Sequence, residues 1–208
     1  MGHTFTSEII RLIPLPDLDK DTQMMLRDIR NEASVRRWMY TDHIIEPSEH
    51  IAWLEHVKAD NRQLVFAVLN EQYAPLGLAS ANDIDLQHLK ADWAFYLTDG
   101  VRGGLGAAIE YAFVDFIINS LCIEKLNCEV IDGNDAVVKM HCKFLFEKEG
   151  LRRSNVIKNG ARTDVHLLGL TREKWQTGRE MVRNKHRSVL DRFSVSIQWT
   201  RSVKVHAS

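Results

Sequence analysis

The sequence predicts a mixed α/β sheet with helices packed on it, from three observations. Hydrophobic periodicity changes along the chain, from helical spacing before residue 60 to short continuous apolar runs after it. The runs "LVFAVLN", "LGLASANDIDL" and "ADWAFYLT" are joined by short turns, as antiparallel hairpins are. Beyond them strand-like and helix-like segments alternate, which places helices on a sheet.

The elements follow in order. Phe5–Ile13 mixes β-branched and apolar residues, stops at "PLPD", and reads as a strand. Leu18, Met25, Leu26 and Ile29 give 17–31 one apolar helical face. Ser34–Met39 is a short second helix, and "EPSEHIAWLEHVKAD" a third with Pro47 in its first turn. The three strands come next, then a glycine turn and a helix from about Gly104 to Ser120. "KLNCEVID" is a strand, "NDAVVKMHCKFLF" a helix, "EKEGLRRSNVIKNG" a strand or hairpin and "RTDVHLLGL" a strand. Residues 171–192 are helical, and "RFSVSIQWT" alternates like an edge strand.

The 208 residues, 45% hydrophobic and 26% charged, fit one soluble domain. No apolar run is long enough to span a membrane. The N-terminus lacks the apolar core of a signal peptide. Cys122, Cys128 and Cys142 are an odd number without metal spacing, as reduced cytoplasmic thiols would be. The histidines are scattered and no metal is expected. The net charge of −1 divides into +6 over 171–208, with nine Lys/Arg against three acids, and −7 elsewhere. An acidic body without an RNA-binding signature argues against nucleic acid, and the basic end reads as a solvated helix and tail.

The turn "DGVRGGLGAAI" carries the chemistry. A helix N-terminus offers free N–H groups and the positive end of the dipole, and small residues let a phosphate approach. A dinucleotide-binding turn fits poorly, because Ile109 stands where a third glycine belongs and some hundred residues precede it. A nucleotide triphosphatase loop needs Gly-Lys-Ser/Thr, which is absent. The pyrophosphate turn of an acetyl-CoA-dependent acyltransferase remains, beside a tight turn with no ligand.

Here the chain resembles the GNAT N-acetyltransferases, over roughly residues 5–170. Their pyrophosphate motif, Q/R-x-x-G-x-G/A, falls on Val101–Gly106, with Val101 departing and Arg102 beside it. Their second motif falls on Asn134–Phe146; Val137, His141 and Leu145 replace its Ala, Tyr and Gly. The resemblance implies the GNAT fold: a mixed, mostly antiparallel twisted sheet flanked by helices. It implies a domain at 1–170, with 171–208 an appended basic helix and tail. It also implies acetyl-CoA as cosubstrate, held by Phe95, Leu97, Arg102, Gly103, Gly104, Leu105, Gly106, Ala107 and Asn134. Glu129 becomes the base or water-orienting group, and His141 the donor to the leaving thiolate.

"IRNEASVRRWMYTDHIIEPSEHIAWL" narrows the resemblance to the PseH-type enzymes, which N-acetylate a UDP-linked 4-amino-4,6-dideoxy sugar in pseudaminic acid biosynthesis, the pathway that decorates flagellins. Arg30, Asn31, Met39, Tyr40, His50 and Ser80 are the substrate-binding residues this implies, and a nucleotide-linked amino sugar the small-molecule partner. A peptide N-terminus as acceptor, a CoA-binding module without turnover, and a homodimer stay open.

Overall fold

A computed structural model describes residues 7–101 and 103–199. Eight strands form one sheet, in the order β6-β7-β5-β4-β3-β2-β1-β8. In chain order, β1 (Glu8–Pro14) leads through a 3-10 turn into α1 (Lys20–Asn31), α2 (Ala33–Arg36) and α3 (Pro47–Ala59). The meander of β2 (Leu64–Leu69), β3 (Pro75–Asp85) and β4 (Lys90–Leu97) follows, then α4 (Leu105–Ser120), β5 (Lys125–Ile131) and α5 (Asp135–Lys143). The hairpin of β6 (Glu147–Lys158) and β7 (Ala161–Thr171) precedes α6 (Arg172–Lys185), α7 (Arg187–Leu190) and β8 (Phe193–Ile197). All neighbours are antiparallel except β4–β5 and β1–β8. This is the mixed, mostly antiparallel α/β sheet expected.

β2 shows why the sheet is covered on both faces. Its side chains alternate: Phe66 and Val68 join the core under α4, whereas Val65, Ala67 and Leu69 join the core under α1–α3. A strand buried on both faces reads as an unbroken apolar run. Helix α4 is also apolar nearly all round, because it is packed between the sheet and α6; Trp175 of α6 is fully buried and donates to Asp115 at 2.9 Å.

Two differences from the expected elements have local causes. Helix α5 stops at Lys143 rather than Phe146, because Leu145 takes a left-handed φ of 73° while Phe146 N–H donates back to the His141 carbonyl at 3.1 Å. Leu145 thus occupies the conformation of the glycine it replaces in the family motif. Its side chain fits because α6 has Gly178 there; a Cβ at that position would lie 2.5 Å from Leu145 Cδ1. The second difference is at His186, where the expected C-terminal helix breaks into α6 and α7. The chain then returns as β8, parallel to β1, and Trp199 packs on Phe66 and Phe116.

Candidate active site

Parallel strands β4 and β5 pair only between Lys90–Asp92 and Lys125–Asn127. Beyond that each keeps its outer partner, β3 or β7, and the two diverge. A cavity of about 280 Å³ occupies the wedge, lined by Trp93–Leu97, Cys128–Ile131, Asn134, Val137 and His141, with Trp38 and Met39 above. Thr98 N–H donates to the Leu76 carbonyl across the β3 edge at 2.8 Å. Antiparallel pairing alternates along a strand, so Phe95 and Leu97 turn their own N–H groups to the open edge.

The end of β4 leads into the glycine turn. Gly103 and Gly104 have φ of 87° and 95°, a region side chains avoid. Gly104 caps α4 with no side-chain hydrogen bond and no acid in the first turn. The first N–H groups of the helix, on Leu105, Gly106 and Ala107, have no intrahelical acceptor. Leu105 is buried, so only its backbone is available here. Arg102 lies outside the described residues. A cation does stand at this turn: the guanidinium of Arg192, from the α7–β8 connection, lies 2.7 Å from where a Gly103 Cβ would be. Arg192 forms no ion pair among the described residues. Val189 of α7 presses on Gly104 in the same way, so these glycines also serve the packing of α7.

Two acid–base groups approach the wedge from opposite faces of the sheet. Glu129 shares the face of Asn127 and accepts from the Arg152 guanidinium through one oxygen and from the Tyr40 hydroxyl through the other. Burial, then the Glu129 carboxylate, pushes the Tyr40 hydroxyl up, so Tyr40 stays a donor. His141 comes from the α4 side. It is 3% exposed and ringed by Trp93, Phe95 and Phe146, and its Nδ1 lies 2.6 Å from Glu110 Oε1. Asn134 begins α5, its carbonyl accepting from Val137 and Val138, with no side-chain capping bond.

The other expected substrate residues are dispersed. Met39 and Tyr40 reach the wedge. Arg30 lines a separate cavity of about 290 Å³ with His50, Trp53 and Tyr96, and donates to the Thr41 carbonyl at 3.0 Å. His50 is buried, and its Nε2 bonds the Gln23 carbonyl at 2.9 Å. Asn31 clamps Ile45, donating to its carbonyl at 3.0 Å and accepting from its N–H at 2.8 Å. Ser80 donates to Ala94 on the neighbouring strand and is not on the wall of the wedge. Arg30, Asn31 and His50 thus hold the α1–α3 region together.

Glu110, Arg152 and Arg192 were not singled out from the sequence. Glu110 had a signal: Gly106, Ala107, Phe113 and Val114, three and four residues away, set it on an apolar stripe. The arginines had none, since each meets its neighbour across the fold.

Among the described residues, no group of three His, Cys, Asp or Glu could hold a metal ion, and no helix is long and apolar enough to cross a membrane.

Residues 10–147 match the family described as "Acetyltransferase (GNAT) domain". Among solved structures, the chain is similar to spermidine N-acetyltransferase from Vibrio cholerae in complex with CoA and spermine. That match has a TM-score of 0.73 at 18% identity and covers 80% of this chain and 98% of that one. The spermidine/spermine N-acetyltransferase SpeG from Vibrio cholerae in complex with manganese ions matches with a TM-score of 0.66 at 18% identity, covering 82% and 96%. These findings correct the narrower resemblance. The PseH-type assignment, the UDP-linked amino sugar as acceptor and partner, and the link to pseudaminic acid and flagellin are overturned by structural relatives that are spermidine acetyltransferases. Of the residues that carried that resemblance, Arg30 and Asn31 bond the backbone of their own loop, whereas Met39 and Tyr40 reach the wedge.

Proposed function

The chain belongs to the GNAT acetyltransferase family, and on that premise we propose that it transfers the acetyl group of acetyl-CoA directly to a primary amine of a polyamine. The observation that carries the reading of acetyl transfer is the open edge of β4, with the glycine N-terminus of α4 following it in the chain.

In this reading the cofactor pyrophosphate accepts from the N–H groups of 103–107 and from Arg192. The pantetheine arm lies along the free edge of β4, and the thioester carbonyl accepts from a backbone N–H of Phe95 or Leu97. The carboxylate of Glu129 faces the acceptor. An ammonium group docks on it and gives up its proton to it directly or through one water. The amine nitrogen then attacks the carbonyl carbon, and the tetrahedral intermediate breaks its C–S bond. The thiolate sulfur takes a proton from His141. Glu129 passes its first proton to water in the open wedge and, as a carboxylate again, takes the extra proton from the nitrogen.

A polyamine as acceptor is supported by the names of the structural relatives and by the −7 charge outside the C-terminal segment. An acidic protein surface attracts a small polycation and speeds its encounter. Thiol release from acetyl-CoA, measured with spermine, spermidine, a monoamine and a peptide N-terminus, tests this. Release with the polyamines is expected. Cofactor binding with no release by either polyamine would sink the substrate assignment.

A further inference from the structure

Resting on the acetyl-transfer reading, we infer that Glu110 and His141 form a buried one-proton pair that delivers its proton from His141 Nε2 to the departing thiolate, with Glu110 as the positioning residue. Glu110 is fully buried, and its Oε1 meets His141 Nδ1 at 2.6 Å. Its Oε2 has no partner. His141 is therefore the only group that balances a charge on Glu110 among the described residues. The other ring nitrogen, Nε2, has no hydrogen-bond partner there, and His141 lies on the wall of the wedge.

The pair is neutral with one proton, written either as carboxylate with imidazolium or as carboxylic acid with imidazole. Removing that proton leaves a lone carboxylate in an apolar interior, at a cost of several kcal/mol. Among the described residues, no cation other than His141 stands by to relieve it. The Cys128 thiol of β5 feels Glu110 most among the charges near it, then Asp92, the exposed Cys142 and Glu129. Burial, then Glu110 itself, pushes the Cys128 thiol up, so it stays protonated. Burial pushes Glu110 up as well, and His141 opposes this.

In the step itself the C–S electron pair stays on sulfur, and the Nε2 proton moves to that sulfur. Nδ1 keeps its hydrogen on Glu110. The pair regains a proton from water entering the wedge before the next turnover. Glu110, by holding Nδ1, keeps Nε2 turned to the wedge and balances the charge of the ring that donates there.

The test is Glu110→Gln, which keeps the shape and an acceptor for Nδ1 but removes the charge. The alkaline limb of kcat should move down by about one to three pH units, with KM for acetyl-CoA within about twofold. On a His141→Tyr background, whose phenol needs no carboxylate, the same substitution should leave the limb where it is. A folded Glu110→Gln with the parental limb overturns the inference. Should that variant not fold, ¹⁵N shifts of His141 in the parent protein decide: a ring that titrates as a free imidazole overturns the pair, and an unchanged ring between pH 5.5 and 7.5 supports it. A parent inactive with every amine would sink the acetyl-transfer reading instead, and the nitrogen shifts would still report on the pair.

Discussion

Arg192, eighty-nine residues downstream of Gly103 in the chain, lays its guanidinium against that glycine at the mouth of the turn before α4. The contact brings a cation from the C-terminal segment to the positive end of a helix, and both favour an anion at that spot. The segment is held there by β8, parallel to β1, and by Glu8 N–H donating to the Arg192 carbonyl at 2.8 Å.

Arg192→Ala should therefore raise KM for acetyl-CoA about tenfold, the size of one exposed charge-assisted bond, with kcat unchanged. Steady-state kinetics at low and high salt check this. The difference between parent and variant should shrink as salt rises.

The turn glycines should separate by role. Gly104→Val meets both a left-handed φ and Val189, so it should cost about 1–3 kcal/mol of stability and lower the melting temperature. A Cβ at Gly106 would lie 3.5 Å from Phe95 Cε2 and 3.7 Å from Met140 Sδ, ordinary contact distances. Gly106→Ala should keep the melting temperature near the parent's while KM for acetyl-CoA rises. Thermal unfolding measured beside kinetics distinguishes the two.

Glu129→Gln should lower kcat/KM for the amine by about 10²–10⁴-fold. Raising the pH should recover part of the loss, because free amine becomes more abundant. Tyr40→Phe removes only a donor to Glu129 and should cost less. A Glu129→Gln profile that overlays the parent's would move the base elsewhere.

Leu145 and Gly178 should be coupled. Gly178→Ala in a helix interior ordinarily gains about 0.5–1 kcal/mol, but here the new methyl meets Leu145. On a Leu145→Gly background the obstacle is gone, and the left-handed position is relaxed. Gly178→Ala should then stabilise more than it does in the parent. A double-mutant cycle by denaturant unfolding reads the difference directly.

His50 should contribute to acid sensitivity. Burial pushes its pKa below the ordinary imidazole value. The folded state favours the neutral ring, so its stabilising effect is present above about pH 6.5 and is lost as pH falls through the lower folded value. The melting temperature should drop from pH 7 toward pH 5, and His50→Gln should flatten part of that drop.

Much of the fold was legible because each element carried its own period. The unbroken apolar run of β2, the apolar α4 and the hairpin turns are properties of short windows, and burial in those windows is dictated locally. The glycine turn was legible for the same reason, since the run of glycines lies within one short window and takes positive φ at 103 and 104. Less legible was the end of α5. The motif asks for a glycine at 145, and only Gly178, on another helix, explains how a leucine stands there.

The sequence by itself determined the sheet, the order of its elements, the glycine turn at the end of β4, and membership in a family that transfers acetyl groups. Tertiary structure alone decided which side chains share the wedge. Arg30, Asn31 and His50 read as substrate contacts in the sequence, and they turn into the α1–α3 region, where backbone groups needed partners. Glu110 and Arg192 arrive at the site because helix packing and a returning edge strand carry them there. Local periodicity says which face of an element is buried. It does not say which distant residue will meet that face, because that contact exists only once the intervening chain has folded.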